Sequence, residues 1–239
     1  MHDYRSQYSQ GDTLASAAGE VCRRLRPNGD ASEAEWSIAR EREIGELVEW
    51  AKQCDRIISA AEVEGLPYYR GGMEHEVWHN ELDGRWYKLT HSNEFGRFPE
   101  LTYDLDKISQ EWITSVVLRI ATPAEYLQRL LLGREVFGDD VMLEGVVIGD
   151  NGVSILISQA HIVGKSPKLR ELYAFMYKAG FYAVPNFAWY KPSESIAAFD
   201  AQIRNFLRAG REIIPIDLIM TRVEGGLEEY LNINCRLPH

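Results

Sequence analysis

Only three of the 239 residues are cysteine, Cys22, Cys54 and Cys235, and no two stand in a C-x-x-C spacing. That excludes a disulfide framework and the zinc and redox sites built on paired thiols, and predicts reduced thiols in a cytoplasmic protein. No stretch approaches the ~20 apolar residues of a membrane helix, and the polar first residues hold no signal-peptide core, so no membrane partner is expected. Positive charge is also scarce. With 26 Lys and Arg against 36 Asp and Glu, the net charge of -10 repels a nucleic-acid backbone, so none is expected as a partner. Neither a Gly-x-Ser-x-Gly elbow nor a P-loop occurs, which excludes serine hydrolases of that type and Walker NTPases. Internal repeats and low-complexity runs are lacking too.

What is present is core-forming material: 45% hydrophobic residues, including six Trp, twelve Tyr and eight Phe, enough for one large domain or two small ones. Residues 1–31 are rich in turn formers, with a short helix expected near 13–25. Ser32 with Glu35 reads as a capping box opening a helix over 33–61, whose Trp36, Ile44, Leu47, Val48, Ala51, Cys54 and Ile58 recur at helical spacing. This helix is expected to pack on the domain behind it. Past Pro67 the pattern turns to strands, with a hairpin over 74–80 and 85–90 closed by Leu82-Asp83-Gly84. Residues 91–119 read as an irregular insertion with helix near 107–118. Thr122-Pro123-Ala124-Glu125 opens a helix to about Phe137. A hairpin over 141–148 and 153–158, a helix over 166–179, an aromatic strand pair over 181–190 and a hairpin from Phe206 to Leu218 complete an α+β chain with antiparallel sheet.

Three residues late in the chain carry the chemistry. Asp200, Asn205 five residues on, and Asp217 at the end of a short hairpin are the parts needed to place magnesium and a hydroxyl nucleophile beside a triphosphate. Earlier come a Gly71-Gly72 turn with His75, Lys88 on a strand and Glu125 on a helix, in the order in which a phosphate cover, a phosphate-binding lysine and its acidic partner would stand. Glu125 doubles as the acid of its own capping box, with Glu135 as the alternative partner for Lys88. His75 and His79 alternate along one strand with no third ligand at metal spacing, and read as solvent-facing or phosphate-proximal. His161 falls where a linker backbone would meet adenine. The adjacent acids Asp139-Asp140 and Glu144 read as turn acids rather than a glycosidase pair.

These elements together resemble the protein-kinase-like fold, and within it the small Ser/Thr/Tyr kinase domain of bacterial and phage polyvalent proteins. The likeness is carried by Gly71-Gly72-Met73-Glu74-His75-Glu76-Val77, Tyr87-Lys88-Leu89-Thr90, the Thr122–Leu127 helix start, Asp200 with Asn205, and Pro215-Ile216-Asp217-Leu218. It covers roughly residues 67–220. The resemblance implies a minimal two-lobed fold with an antiparallel-sheet N-lobe over about 66–160, a reduced C-lobe over about 161–239, and residues 1–65 as an N-terminal helical extension. It implies a kinase using ATP and Mg2+, with Asp200 as catalytic base and Lys88 on the nucleotide phosphates. Gly71, Gly72, His75, Lys88 and Glu125 would bind the nucleotide, and Asn205 and Asp217 the metal. The acceptor is a protein or small-molecule hydroxyl, and transfer of phosphate or of AMP stays open. The chain departs from the motif in having Ala198-Phe199 before Asp200, Gln202 two residues after it and Leu218-Ile219 after Asp217, and the stretch beyond is short for an activation segment. The alternative is a pseudokinase that serves as a nucleotide-binding or partner-binding scaffold.

Overall fold

A computed structural model describes residues 10–22, 33–105 and 110–235. Ser32 lies outside the described residues, as does most of the turn-rich stretch before it. The first half of the chain forms α1 (Gln10–Val21), α2 (Glu33–Gln53), β1 (Ile57–Ile58), α3 (Ala60–Glu64), β2 (Tyr68–Gly71), β3 (His75–Asn80), β4 (Arg85–Thr90), β5 (Arg97–Leu105) and β6 (Trp112–Ile120). The second half forms α4 (Pro123–Phe137), β7 (Met142–Gly149), β8 (Gly152–Ala160), α5 (Leu169–Lys178), β9 (Tyr182–Val184), β10 (Ala188–Lys191), β11 (Ile196–Phe199), β12 (Phe206–Ala209), β13 (Glu212–Pro215), β14 (Ile219–Arg222) and α6 (Gly225–Asn234). Two compact units result, one drawn from Met1–Gly96, Ile120–Arg134 and Asp140–His161, the other from Arg97–Arg119, Glu135–Asp139 and Ile162–His239.

The first unit is built on a six-stranded sheet in the order β1-β7-β8-β4-β3-β2. Pairing is antiparallel except for β1 on β7. Strand β8 is buried along nearly its whole length, because both faces of the sheet are covered. On one face Leu14, Ala17, Leu47, Trp50, Tyr126 and Leu127 of α1, α2 and α4 form one cluster with Val146 and Ile155. On the other, Val63 of α3 packs with Trp78, Val147 and Leu156. The N-terminal helices expected as an extension are thus part of this unit's core.

Two expectations are corrected. The helix expected over 33–61 ends at Gln53, because Asp55 adopts a left-handed φ of 54° and the Arg56 N–H closes back on the Ala51 carbonyl at 2.7 Å. The chain beyond extends, and Ile57 and Ile58 pair in parallel with Val146 and Val147, where β-branched side chains lose less freedom than in a helix. Gly145 makes this approach possible, since a Cβ there would lie 2.3 Å from the Arg56 carbonyl oxygen. The segment 107–118, read as partly helical, contributes instead to β6, which pairs with β5; residues 106–109 lie outside the described residues. Its run Ile113-Thr114-Ser115-Val116-Val117 favours a pleated surface over a helix. The loss of helical periodicity there was the available signal.

In the second unit β14-β11-β10-β9 form an antiparallel sheet, with β12 and β13 a separate hairpin. Val184, Tyr190, Phe199, Ile219 and Leu231 make its core. The fully buried Tyr190 donates to Glu228 at 3.2 Å, and burial pushes its hydroxyl above the usual phenol range.

The helical layer of the first unit makes a direct test possible. Trp50 is 4% exposed and donates its indole N–H to Ser16 Oγ at 3.2 Å. Trp50→Ala should cost about 3–5 kcal/mol, lowering the urea midpoint without changing its slope. Deleting residues 1–62 should leave an insoluble or loosely packed product by near-UV circular dichroism.

Candidate functional site

Asp200 leaves the end of β11 in a left-handed conformation, φ 49°, which is uncommon for any residue but glycine. Two backbone bonds hold the turn, Ala201 N–H to the Phe187 carbonyl at 2.9 Å and Gln202 N–H to the Asp200 carbonyl at 2.8 Å. A 3₁₀ turn, Ile203–Asn205, follows and swings the buried Asn205 back. Its Nδ2 donates to the Asp200 carbonyl oxygen at 2.7 Å and to Oδ2 at 2.9 Å. Gln202 Nε2 donates to Oδ1 at 2.8 Å, and the exposed Arg204 guanidinium stands 3.7 Å from the same oxygen. The Asp200 side chain, 30% exposed, is therefore aimed by two amides while open to solvent.

The β12–β13 hairpin then returns the chain, and the Ile216 N–H donates to the Asn205 carbonyl at 3.0 Å. Asp217 follows at the next residue. The structure thus gathers Asp200, Asn205 and the residue preceding Asp217 in one region of the second unit. With its amino group turned to Asp200, Asn205 keeps Oδ1 for another partner. A hard cation such as magnesium takes oxygen ligands and needs only one or two from protein when phosphates supply others, which suits this donor set. Among the described residues no three His, Cys, Asp or Glu side chains converge as metal ligands.

Beside Asp200 lies a cavity of about 270 Å³. Val116 and Leu118 of β6, Val184 of β9, Phe199 of β11 and Leu231 of α6 line it, with Asn186 and Phe187 from the β9–β10 turn. Asn186, Phe187 and Asp200 all have positive φ, 63°, 57° and 49°. Left-handed backbone at a bulky residue is held only where its surroundings over-determine it, and here it clusters around one pocket. The aromatic strand pair over 181–190 reads from sequence as core by default, with a stacking platform for bases or sugars as the alternative, and the structure divides it: Tyr190 is fully buried, whereas Phe187 lines this cavity.

In the first unit Lys88 sits on β4 between Val77 and Ile157, its Nζ donating to Gln159 Oε1 at 3.2 Å. Trp86, two residues earlier and so on the same face, stacks on His161 at 5.5 Å and meets Tyr69 edge-on at 4.9 Å. His161 Nδ1 and His79 Nε2 share a hydrogen bond of 3.0 Å. The backbone N–H of His161, expected to face adenine, is donated to the Gly84 carbonyl at 2.8 Å, so its ring rather than its backbone enters this cluster. The alternation of Trp86 and Lys88 along β4 was the signal for the aromatic group.

Gly71, Gly72 and His75 share one tight turn, closed by the Gly72 N–H on the His75 carbonyl at 2.8 Å. A Cβ at Gly71 would meet Glu76 Oε1 at 2.9 Å. Glu76 also accepts from Tyr68 at 2.8 Å, a bond that holds the Tyr68 phenol above its usual range. His75 is buried, with Nε2 2.8 Å from the Tyr126 hydroxyl, which removes the solvent-facing one of its two readings. Glu125 accepts the Thr122 N–H at 2.8 Å as the acid of a complete capping box. Glu135 holds Arg222 at 3.0 Å. Compared with known protein families, with curated proteins and with solved structures, the chain matches none.

The contact between Asn205 and Asp200 predicts a pH signature. Asn205→Ala should cost about 1–3 kcal/mol by removing the bonds its amide donates to the Asp200 carbonyl and carboxylate oxygens, leaving the carbonyl only the Gln202 N–H. Asn205→Asp sets a second carboxylate against the first, raising the folded-state pKa of one of them. Stability lost at neutral pH should then return as pH falls through that raised value towards about 4. Melting temperature against pH checks this: wild type should lack the recovery.

Proposed function

We propose that the chain is a magnesium- and ATP-dependent kinase-like phosphotransferase acting on a hydroxyl group. The observation that carries this reading is the Asp200 loop, in which Asn205 grips Asp200 by two bonds and its carbonyl holds the N–H of Ile216, the residue before Asp217. The order of parts along the chain supports it as well: glycine turn, lysine strand, acid-bearing helix, then acid, amide and hairpin acid. We assign Asp200 as the base, Lys88 as a ligand of the nucleotide phosphates, and Asn205 and Asp217 as the residues that hold magnesium. The bound ion would neutralise charge on the transferring phosphate.

Asp200 accepts the proton of the acceptor hydroxyl as its oxygen bonds to the γ-phosphorus, while the bond to the bridging oxygen breaks and ADP leaves. Gln202 and Asn205 fix the direction of the carboxylate, the positioning on which such a reaction depends. Gly71, Gly72 and His75 form the turn assigned to cover the phosphates, and Glu125 is the assigned partner of Lys88. Trp86, stacked on His161, stands on the face of β4 that carries Lys88, an aromatic surface of the kind a nucleobase packs on. One observation favours the scaffold reading: the Glu76 carboxylate stands against Gly71, where negative charge opposes a triphosphate.

Calorimetry with ATP, with and without magnesium, tests the assignment. Wild type should bind, and saturation at a hundred times the dissociation constant should add about 2.7 kcal/mol of stability. Asp200→Asn should bind normally and lose ~10²- to 10⁴-fold in turnover. Asp217→Asn should lose the magnesium-dependent part of affinity, and Lys88→Ala should bind weakly in either condition. Full magnesium dependence in Asp217→Asn would sink the kinase assignment of this loop.

A further inference from the structure

The cavity beside Asp200 carries information about the acceptor. Its walls are mostly apolar: Val116, Leu118, Val184, Phe199 and Leu231 present methyl groups and a ring, while Asn186, Gln202 and Tyr230 add polar groups and Asp200 is the one charged residue among those lining it. A sugar or other polyol placed there would turn some of its hydroxyls to the apolar side chains, at a cost for each one left unpaired. A volume of about 270 Å³ lies at or below the small end of ligand sites, room for one ring with a short tail. Three aromatic side chains, Phe187, Phe199 and Tyr230, border it, and they favour a flat aromatic guest over a branched aliphatic one.

Phe187 gives the pocket its rim. Its left-handed backbone sends the carbonyl to Ala201 N–H, tying the rim to the Asp200 loop, while 64% of the residue stays exposed. An exposed bulky ring on a strained backbone does nothing for the core. A guest ring would supply the missing apolar contact.

We infer that this pocket binds a small aromatic alcohol, a phenol, with its hydroxyl donated to the Asp200 carboxylate. Resting on the phosphotransferase reading, the inference makes that phenol the acceptor, so that an aryl phosphate and ADP form. The hydroxyl proton passes to Asp200, the phenolic oxygen bonds to the γ-phosphorus, and the bond from that phosphorus to the bridging oxygen breaks. A phenolic proton, with a pKa near about 10, is far easier for a carboxylate to take than that of an aliphatic alcohol.

The test uses the full chain without nucleotide, so that its result is independent of kinase activity. 4-Ethylphenol should bind saturably by calorimetry, in the millimolar range or tighter. 4-Ethylanisole has the same ring and no donor hydroxyl, and should bind at least about tenfold more weakly, as expected for losing a hydrogen bond to a charged group. Phe187→Ala, at an exposed rim position, should weaken 4-ethylphenol severalfold with an unchanged melting temperature. Absence of 4-ethylphenol binding, or equal affinity for the anisole, overturns the inference. Tighter binding of N-acetyl-tyrosinamide also overturns it, since the pocket would then take tyrosyl side chains of a polypeptide. If the phenol binds while ATP with magnesium does not, the phosphotransferase reading fails and the pocket stands as a phenol site. If ATP binds and the phenol does not, the reverse holds.

Discussion

The Asn205 amide, reaching back five residues to Asp200, fixes the second unit's candidate site. A left-handed aspartate is a conformation the chain leaves readily unless something holds it, and the double contact to the carbonyl and the carboxylate does so. From that clamp the rest follows. The carboxylate receives Gln202, the Phe187 carbonyl receives Ala201, and the β12–β13 hairpin starts directly from the clamped residue. The same clamp returns Ile216, and with it Asp217, through the Asn205 carbonyl.

The first unit solves a different problem. Its sheet must bury both faces, and its helices come from distant parts of the sequence. Strand β3 and Glu74, the residue before it, are tied to α4 by the His75–Tyr126 bond and by the Glu74–Arg129 ion pair at 2.9 Å, both of whose side chains are largely buried. Removing either charge would strand the other in a poorly hydrated site, so the pair fixes where α4 lies more than it adds stability. Gly96, at φ 77°, belongs to the same joint, because a Cβ there would press on Arg129 and the Tyr126 ring at 3.1 Å. The result is a rigid sheet with Lys88, Trp86 and Gln159 at positions set by strand register rather than by loops.

Among the described residues no helix is long and apolar enough to cross a membrane, in line with the short apolar runs of the sequence. The α+β class, the hairpins β3–β4, β7–β8 and β12–β13, and the helices α4 and α5 were legible, because each rests on local chemistry. Turn residues, caps and periodicity act within a few positions of one another. The spacing of Asp200 and Asn205 and the hairpin leading to Asp217 are local features of the same kind, and the structure joins Asn205 to Asp200 and to Ile216.

What local signals could not give were contacts between residues far apart in the chain. The break of the long helix at Asp55 depends on β7 offering Ile57 and Ile58 a partner some ninety residues later, through a glycine that admits the approach. His75, polar and on a strand, reads as solvent-facing or phosphate-proximal, and its burial against Tyr126 is a contact across fifty-one residues. The pocket at Asp200 takes walls from β6, β9, β11 and α6, which no periodicity links. The sequence by itself determined the hairpins, the helices α4 and α5 and the spacing of Asp200 and Asn205, since those depend on neighbours. The tertiary structure alone decided which rings stand by Lys88, which carboxylate faces the glycine turn and what borders Asp200, because burial and register are properties of the assembled sheet.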